Sequence, residues 1–307
     1  MPPTVPPTVR FGLNVDPHAA GLPVAERIAR IADDAGLDLV GVQDHPYLAD
    51  HLDTFAVLAW LAGRTRSVRL FPNVANLPLR PPAMLAKQAA TIDVLSGGRF
   101  ELGLGAGAFT DAIVGMGGPR RARGAARAAL SEAVDVIRAS WAGRGYAHQG
   151  EHYALPGVRP GPRPAHDIGV WLGVLGPRSV RLVGAKADGW SVSSSYVAPA
   201  RLTELNAAIT GAAEEAGRDP AALVRLYNVA GRITDGGPDG AREGVPADEP
   251  GAVQGPPRLW VDVLSALHAE RGMNAFVFWP DGDRERQSRR FAEEVVPELR
   301  ARLADEG

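Results

Sequence analysis

The chain has 307 residues, 45% hydrophobic and 22% charged, and a formal net charge of -2. That composition fits a globular protein, excludes a wholly disordered chain or a coiled coil, and leaves no global electrostatic footprint for nucleic acid. Cysteine is absent, which excludes disulfides, thiolate catalysis, iron–sulfur clusters and cysteine zinc sites.

The opening MPPTVPPTVRFG has neither the basic nor the apolar region of a secretory signal, so a cytoplasmic location is expected. No run of about 18 apolar residues follows anywhere, and no membrane helix is expected. Val9–Val15, rich in β formers, predicts the first strand. Pro23 suits a first helical turn, where its missing N–H costs nothing. Val24, Ile28, Ile31, Ala32 and Ala35 then share one helix face, and Gly36 ends it. Leu37–Val42 is an apolar run broken by Asp38, of the kind a parallel sheet buries on both faces. The unit repeats. Helix 54–64 leads to strand 68–74, helix 82–95 to strand 99–104, and helix 125–141, after a long insertion, to strand 168–174. Helices 179–185, 199–216 and 257–271 lead to strands 189–192, 223–230 and 275–278, and a last amphipathic helix covers 284–303. Eight strand–helix units without an intervening linker predict one α/β domain, a closed (β/α)8 TIM barrel, with an open doubly wound sheet as the alternative.

Insertion loops interrupt the rhythm at about 106–124, 143–167 and 231–256. Gly143–Asp167 is too rich in Pro and Gly for a long regular element, although Tyr146, Tyr153, Leu155 and Val158 give it something to bury. Gly231–Pro256 has almost no large apolar residue and reads as a mobile candidate lid, an idle surface loop being the alternative.

In a parallel barrel the site lies at the carboxyl ends of the strands. There the sequence places Asn14, Asp16 and His18, then Gln43, Asp44, His45 and Tyr47, then Asn73, Val74 and Asn76. Gly103 to Gly107 reads GxGxG after a fourth strand, with Thr110 where a dinucleotide fingerprint needs a small residue. Such a rim lets backbone bend or a flat ring approach. Asp44-His45, Asp50-His51 and Asp16-Pro17-His18 are of metal-ligating types, but no HxH pair ends a strand and later strand ends lack carboxylates; no metal is expected. Gly176-Pro177-Arg178-Ser179 opens a helix, either as an anion cradle or as a simple Gly-Pro turn. Arg120, Arg121 and Arg123 form a basic cluster, ordinarily a solvated loop.

Three stretches go further: LDLVGVQDHPY (37–47), RLFPNVANLPLRPPAMLAKQAATIDVLSGGRFELGLGAG (69–107) and GVWLGVLGPRSVRLVGAKADGWSVS (169–193). On these, and most specifically on Asp93 to Gly105, the chain resembles the bacterial luciferase-like flavin-dependent oxidoreductases, in order to NAFVFWP (274–280). The resemblance implies a (β/α)8 barrel holding FMN or the deazaflavin coenzyme F420, with F420 favoured. His45 would be the general acid/base and Asp44 its orienting partner. Asn73-Val74 would form a non-prolyl cis peptide behind the ring, and Asn76 would touch the ring edge. Gly105, Ala106 and Gly107 would form the rim, and Gly176, Pro177, Arg178 and Ser179 the phosphate loop, with Ser193 nearby. Two departures stand out: Ala108 replaces an acidic residue after the rim glycines, and Pro46-Tyr47 follow His45 where relatives often carry a nearby Trp. The implied activity is hydride transfer between the cofactor and a small organic substrate, in a homodimer with a separate flavin or F420 reductase. The alternatives are an FMN-dependent monooxygenase using O2 and a non-catalytic flavin-binding or subunit-type barrel.

Overall fold

Eight short strands, almost entirely buried, form the centre of the molecule: β1 (Arg10–Val15), β2 (Leu39–Val42), β3 (Arg69–Pro72), β4 (Leu102–Gly105), β5 (Val170–Gly173), β6 (Gly189–Ser193), β7 (Val224–Ile233) and β8 (Ala275–Pro280). The computed structural model describes residues 9–236 and 249–305. All pairings in this sheet are parallel, in the order β3, β2, β1, β8, β7, β6, β5, β4. The two ends meet within one stretch of chain. After β3 the backbone turns through Asn73-Val74 and resumes as Ala75–Asn76, which pairs with β4, while a bridge joins Leu70 to Phe100. The sheet is therefore the closed barrel that the repeat predicts.

Helices α1 (Leu22–Asp34), α2 (Thr54–Ala62), α3 (Pro82–Ser96), α4 (Arg123–Trp141), α5 (Pro177–Lys186), α6 (Pro199–Glu215) and α7 (Pro257–Ala269) surround it, and α8 (Arg284–Asp305) closes the chain with a π turn over Phe291–Val295. Their starts are written locally. Proline occupies the first turn of α1, α3, α5, α6 and α7, while Asp53 and Asp283 cap α2 and α8 through the amides of Ala56 and Arg286.

The period of two along each strand sorts the side chains. Phe11, Leu13, Leu102, Leu104, Trp190, Val192, Phe276 and Phe278 pack outward into the helices. Leu39, Phe71, Trp171, Leu226, Ala275 and Val277 fill the barrel, with Phe71 and Trp171 edge to face at 5.2 Å. Each such aromatic stabilises the fold by about 1.5–3 kcal/mol on burial.

The segment most specific in sequence, Asp93 to Gly105, begins at the end of the barrel opposite the strand carboxyl termini and reaches the rim at Gly105. Asp93, wholly buried, accepts the amides of Ala165 (2.7 Å) and His166 (3.1 Å) and the His166 Nδ1–H (2.7 Å). Arg99 donates to the carbonyls of Ala62, Thr65, Val68 and Ser96. Asp93 thus clamps the returning insertion to the barrel, and Arg99 ties the end of α3 to the turn before β3.

The insertions hold more regular structure than their composition predicts. Residues 106–124 include a helical turn, Thr110–Gly115. Residues 143–167 include an antiparallel ribbon of Tyr146–Gln149 with Ala154–Val158, whose half-buried Tyr153 packs on the core. The ends of 231–256 are strand: Gly231–Ile233 belongs to β7 and pairs in parallel with Val253–Gly255. Ile233 and Val253 supply the burial, and a Cβ on Gly231 would lie 1.9 Å from the Val253 carbonyl oxygen. The rest of the candidate lid, 237–248, lies outside the described residues.

Candidate functional site

Inward positions near the strand ends are polar. Asn73 Nδ2–H donates to Asn228 Oδ1 at 2.6 Å, and Trp279 Nε1–H reaches the same oxygen at 3.2 Å. Ser191 Oγ–H donates to Asn73 Oδ1 (3.1 Å), and Asn228 Nδ2–H to Ser191 Oγ (3.2 Å). This layer sits on the Phe71–Trp171 packing and makes a hydrogen-bonded floor to the mouth.

Above the floor the Asn73–Val74 peptide is cis. Val74 explains the glycines around it. A Cβ on Gly105 would lie 2.8 Å from Val74 Cγ2, and one on Gly173 would lie 2.7 Å from it. One on Gly103 would meet Val74 Cγ1 at 3.0 Å and the Pro72 carbonyl oxygen at 2.1 Å. The β4 rim is small because it receives Val74. Gly107 has φ +85° and packs on Pro78 and Ile113. Asn76 donates its amide to Asp44 Oδ2 at 2.8 Å, while its own Oδ1 is buried with no partner among the described residues.

Asp44 does not orient His45. Its carboxylate is spent on Arg80, which donates Nε–H at 2.9 Å and Nη2–H at 2.8 Å, and on the Asn76 amide. Arg80 also reaches Asp53 at 2.7 Å and lies over the Phe55 ring at 4.6 Å. Burial opposes the charge on Arg80, but the Asp44 hydrogen bonds hold the guanidinium firmly protonated. The reason is directional: successive residues at a strand end point opposite ways. Asp44 turns into the fold and His45 toward the mouth. Arg80 gave no sequence signal, being 36 positions from its partner.

His45 instead pairs with Tyr47, Nδ1 to hydroxyl at 2.6 Å, and Phe109 packs edge-on against it at 5.6 Å. Burial, followed by the neighbouring His51, lowers the His45 pKa against the opposing charge of Asp44. Burial, Asp44 and Tyr196 push the Tyr47 phenol up to about 12. Leu48, Phe109, Leu175 and Tyr196 are exposed around this rim, an apolar collar that the motif reading missed.

At the α5 start, Gly176 is the N-cap and Pro177 has no N–H; Ser179 and Val180 donate to the Gly176 carbonyl. The Arg178 amide has no acceptor among the described residues. The Arg178 side chain does not join this turn. It is exposed and lines a groove with Arg127, Ser131, Arg181 and Glu215 on the outside of the barrel. Arg178 and Arg181, three apart, share the outward helix face, so the Arg178 guanidinium is directed away from the helix start. Ser193 ends β6 half-buried and accepts the Ser195 amide at 3.2 Å. Arg120, Arg121 and Arg123 line a groove of about 920 Å³ with Phe109 and Asp111, beside the mouth.

Of the metal-ligating types, His18, Asp50 and His51 come together, with His18 Nδ1 2.9 Å from Asp50. Asp44 is held by Arg80, and Asp16 by Gln43 and Arg284.

Comparison with known proteins fits this geometry. Residues 9–235 match the family model described as luciferase-like monooxygenase. An F420-dependent glucose-6-phosphate dehydrogenase of Nakamurella multipartita is 32% identical over 221 residues, 69% of this chain and 64% of its own length. Thus the match spans less than two thirds of that relative. Among solved structures, an F420-dependent secondary alcohol dehydrogenase in complex with an F420-acetone adduct superposes with a TM-score of 0.82 at 19% identity, covering 95% of this chain and 99% of that one. The oxygenating constituent of 3,6-diketocamphane monooxygenase from Pseudomonas putida, a type II Baeyer–Villiger enzyme in complex with FMN, superposes with a TM-score of 0.74 at 18% identity, with 95% and 99% covered. With the family model matching 227 consecutive positions of a closed barrel, this chain belongs to the luciferase-like family.

Proposed function

We propose that this protein, as one luciferase-like barrel domain, is a coenzyme F420-dependent oxidoreductase that transfers hydride between the deazaflavin and a small organic substrate. The observation that carries it is the buried Asn76 Oδ1, without a partner among the described residues, in a mouth floored by hydrogen-bonded carboxamides. A buried acceptor without a partner costs about 1–3 kcal/mol, so it calls for a donor from a ligand, and the edge of a flavin or deazaflavin ring carries such N–H groups. When bound, the cofactor supplies the hydride chemistry. The chain binds and orients it. In this reading Asn73, Val74 and Asn76 back and edge the ring, Gly105, Ala106 and Gly107 keep the rim low, and the backbone of Gly176, Pro177, Arg178 and Ser179, with Ser193, takes the phosphate. His45 faces the substrate, and the apolar collar excludes water from it.

F420 is favoured over FMN because the 32%-identical relative is an F420-dependent enzyme and because Arg120, Arg121 and Arg123 offer charge to a polyanionic tail. The proposal includes a homodimer, a separate F420 or flavin reductase and a cytoplasmic location. Among the described residues no helix is long and apolar enough to cross a membrane. Titration of the apo protein with F420 and with FMN, reading ring absorbance and fluorescence, tests it. F420 should bind more tightly than FMN, and Asn76→Leu should weaken binding by roughly 1–3 kcal/mol. Tighter FMN binding with oxygen uptake would favour the monooxygenase reading; no binding of either would leave a non-catalytic barrel.

A further inference from the structure

We infer that Tyr47 holds His45 as a neutral imidazole protonated on Nε2, so that the mouth meets a hydrogen-bond donor and the substrate group seated against it is an acceptor oxygen, a carbonyl in particular. The substrate half of this inference rests on the proposed oxidoreductase function; the tautomer half does not.

The relative acidity of the two groups sets the direction of the bond. Tyr47 OH and His45 Nδ1 are 2.6 Å apart. In that pair one group donates. The phenol is kept protonated by burial first and by Asp44 and Tyr196 next, with its pKa about 12. A phenol hydroxyl is a stronger donor than a neutral imidazole N–H, and an imidazole nitrogen a stronger acceptor than a phenol oxygen, so the short contact is O–H···N. His45 Nδ1 is then the acceptor, and a neutral ring with Nδ1 accepting carries its hydrogen on Nε2. Burial and His51, whose ring centroid lies 6.3 Å away, both disfavour the imidazolium. Asp44 favours it, but its carboxylate is already matched by Arg80. Phe109, which covers the pair at 5.6 Å from His45 and 5.8 Å from Tyr47, carries no charge.

His45 Nε2 has no partner among the described residues and is not a sealed, orphaned atom. It is therefore the open end of the pair. A neutral imidazole presenting N–H is a donor toward developing negative charge on oxygen. It is not a resting base, because its lone pair is engaged. This changes the acid/base role inferred from Asp44-His45 alone: the orienting partner is Tyr47, two residues downstream of His45. Tyr47 is a positioning residue, acting through His45.

The test begins with the apo protein labelled with 15N-histidine. His45, one of seven histidines, is assigned by the signal lost in His45→Gln. Long-range proton–nitrogen spectra should show one tautomer for His45, with Nδ1 unprotonated and Nε2 protonated. Tyr47→Phe keeps the ring against Phe109 and removes only the hydroxyl; it should give mixed tautomers and move the His45 titration upward. A wild-type His45 protonated on Nδ1, or a Tyr47→Phe spectrum identical to wild type, would overturn the inference. The wild-type spectrum decides even if the variant does not fold. In F420-loaded protein, a panel of short-chain ketones should shift the His45 Nε2–H resonance, while their alkene isosteres should not. If no ketone shifts it, the acceptor assignment falls. If F420 itself does not bind, the oxidoreductase reading falls and the tautomer result stands.

Discussion

Arg80 is the residue whose loss the structure prices most clearly. Its side chain is 10% exposed and that of Asp44 is 1% exposed, and they share two charge-assisted hydrogen bonds of 2.8 and 2.9 Å. Arg80→Leu removes both bonds and leaves a buried carboxylate with only the Asn76 amide. Breaking a buried pair by removing one partner costs about 3–5 kcal/mol, which lowers the melting midpoint by roughly 5–8 °C for a chain of this size. Asp44→Asn should cost less. The amide still accepts from Asn76 N–H, and Arg80 keeps Asp53, whose side chain is 49% exposed and so reaches solvent. Urea unfolding near neutral pH, followed by circular dichroism and tryptophan fluorescence, measures both. Arg80→Leu within about 1 kcal/mol of wild type would refute the buried-pair account. So would an Asp44→Asn protein of wild-type stability whose His45 titration alone had moved, since that is the signature of an orienting carboxylate.

The barrel was legible because its instructions are local. Proline in the first turn of five helices and strands buried on both faces can be read within a window of about ten residues. The family was legible too, from a segment that runs from the far end of the barrel to the rim at Gly105. At its far end Asp93 holds the 143–167 insertion and Arg99 holds the chain before β3, so part of the resemblance reports the scaffold and only its last residues the site. What stayed hidden depends on barrel closure. Asn73 meets Asn228 across 155 positions, and Arg80 meets Asp44 across 36. Adjacency misled as well. Asp44 and His45 are neighbours in sequence and face different surroundings; Arg178 begins the right helix and points out of it. The rim glycines were expected to let the backbone bend or a flat ring approach; in the structure Gly103 and Gly105 make room for Val74, while Gly107 packs on Pro78 and Ile113.

Two further predictions concern the scaffold of the site. His166 is raised above its ordinary pKa by the Glu101 hydrogen bond first, against burial, and then by Asp93. A raised value means that its contribution is fully present below about pH 6.5 and fades as pH climbs through the folded-state value. The stability gap between wild type and His166→Gln in urea should therefore be larger near about pH 5.5 than near about pH 9; a gap that widens with pH contradicts the clamp. The last prediction separates side-chain from backbone contact among the glycines. In Gly173→Ala the three atoms nearest the new methyl all belong to Val74, with Cγ2 at 2.7 Å and Cγ1 at 3.2 Å. Overpacking of that kind costs about 1–3 kcal/mol. Val74→Ala removes both Cγ atoms, so the double variant should recover most of that cost, a favourable coupling that a double-mutant cycle reads directly. Gly103→Ala differs, because its methyl would lie 2.1 Å from the Pro72 carbonyl oxygen. That atom belongs to β3 and does not leave with Val74, so Val74→Ala should not rescue it. Equal rescue at both positions would mean that Val74 shifts the whole β3–β4 seam, and the account of the rim as a socket for one side chain would have to be abandoned.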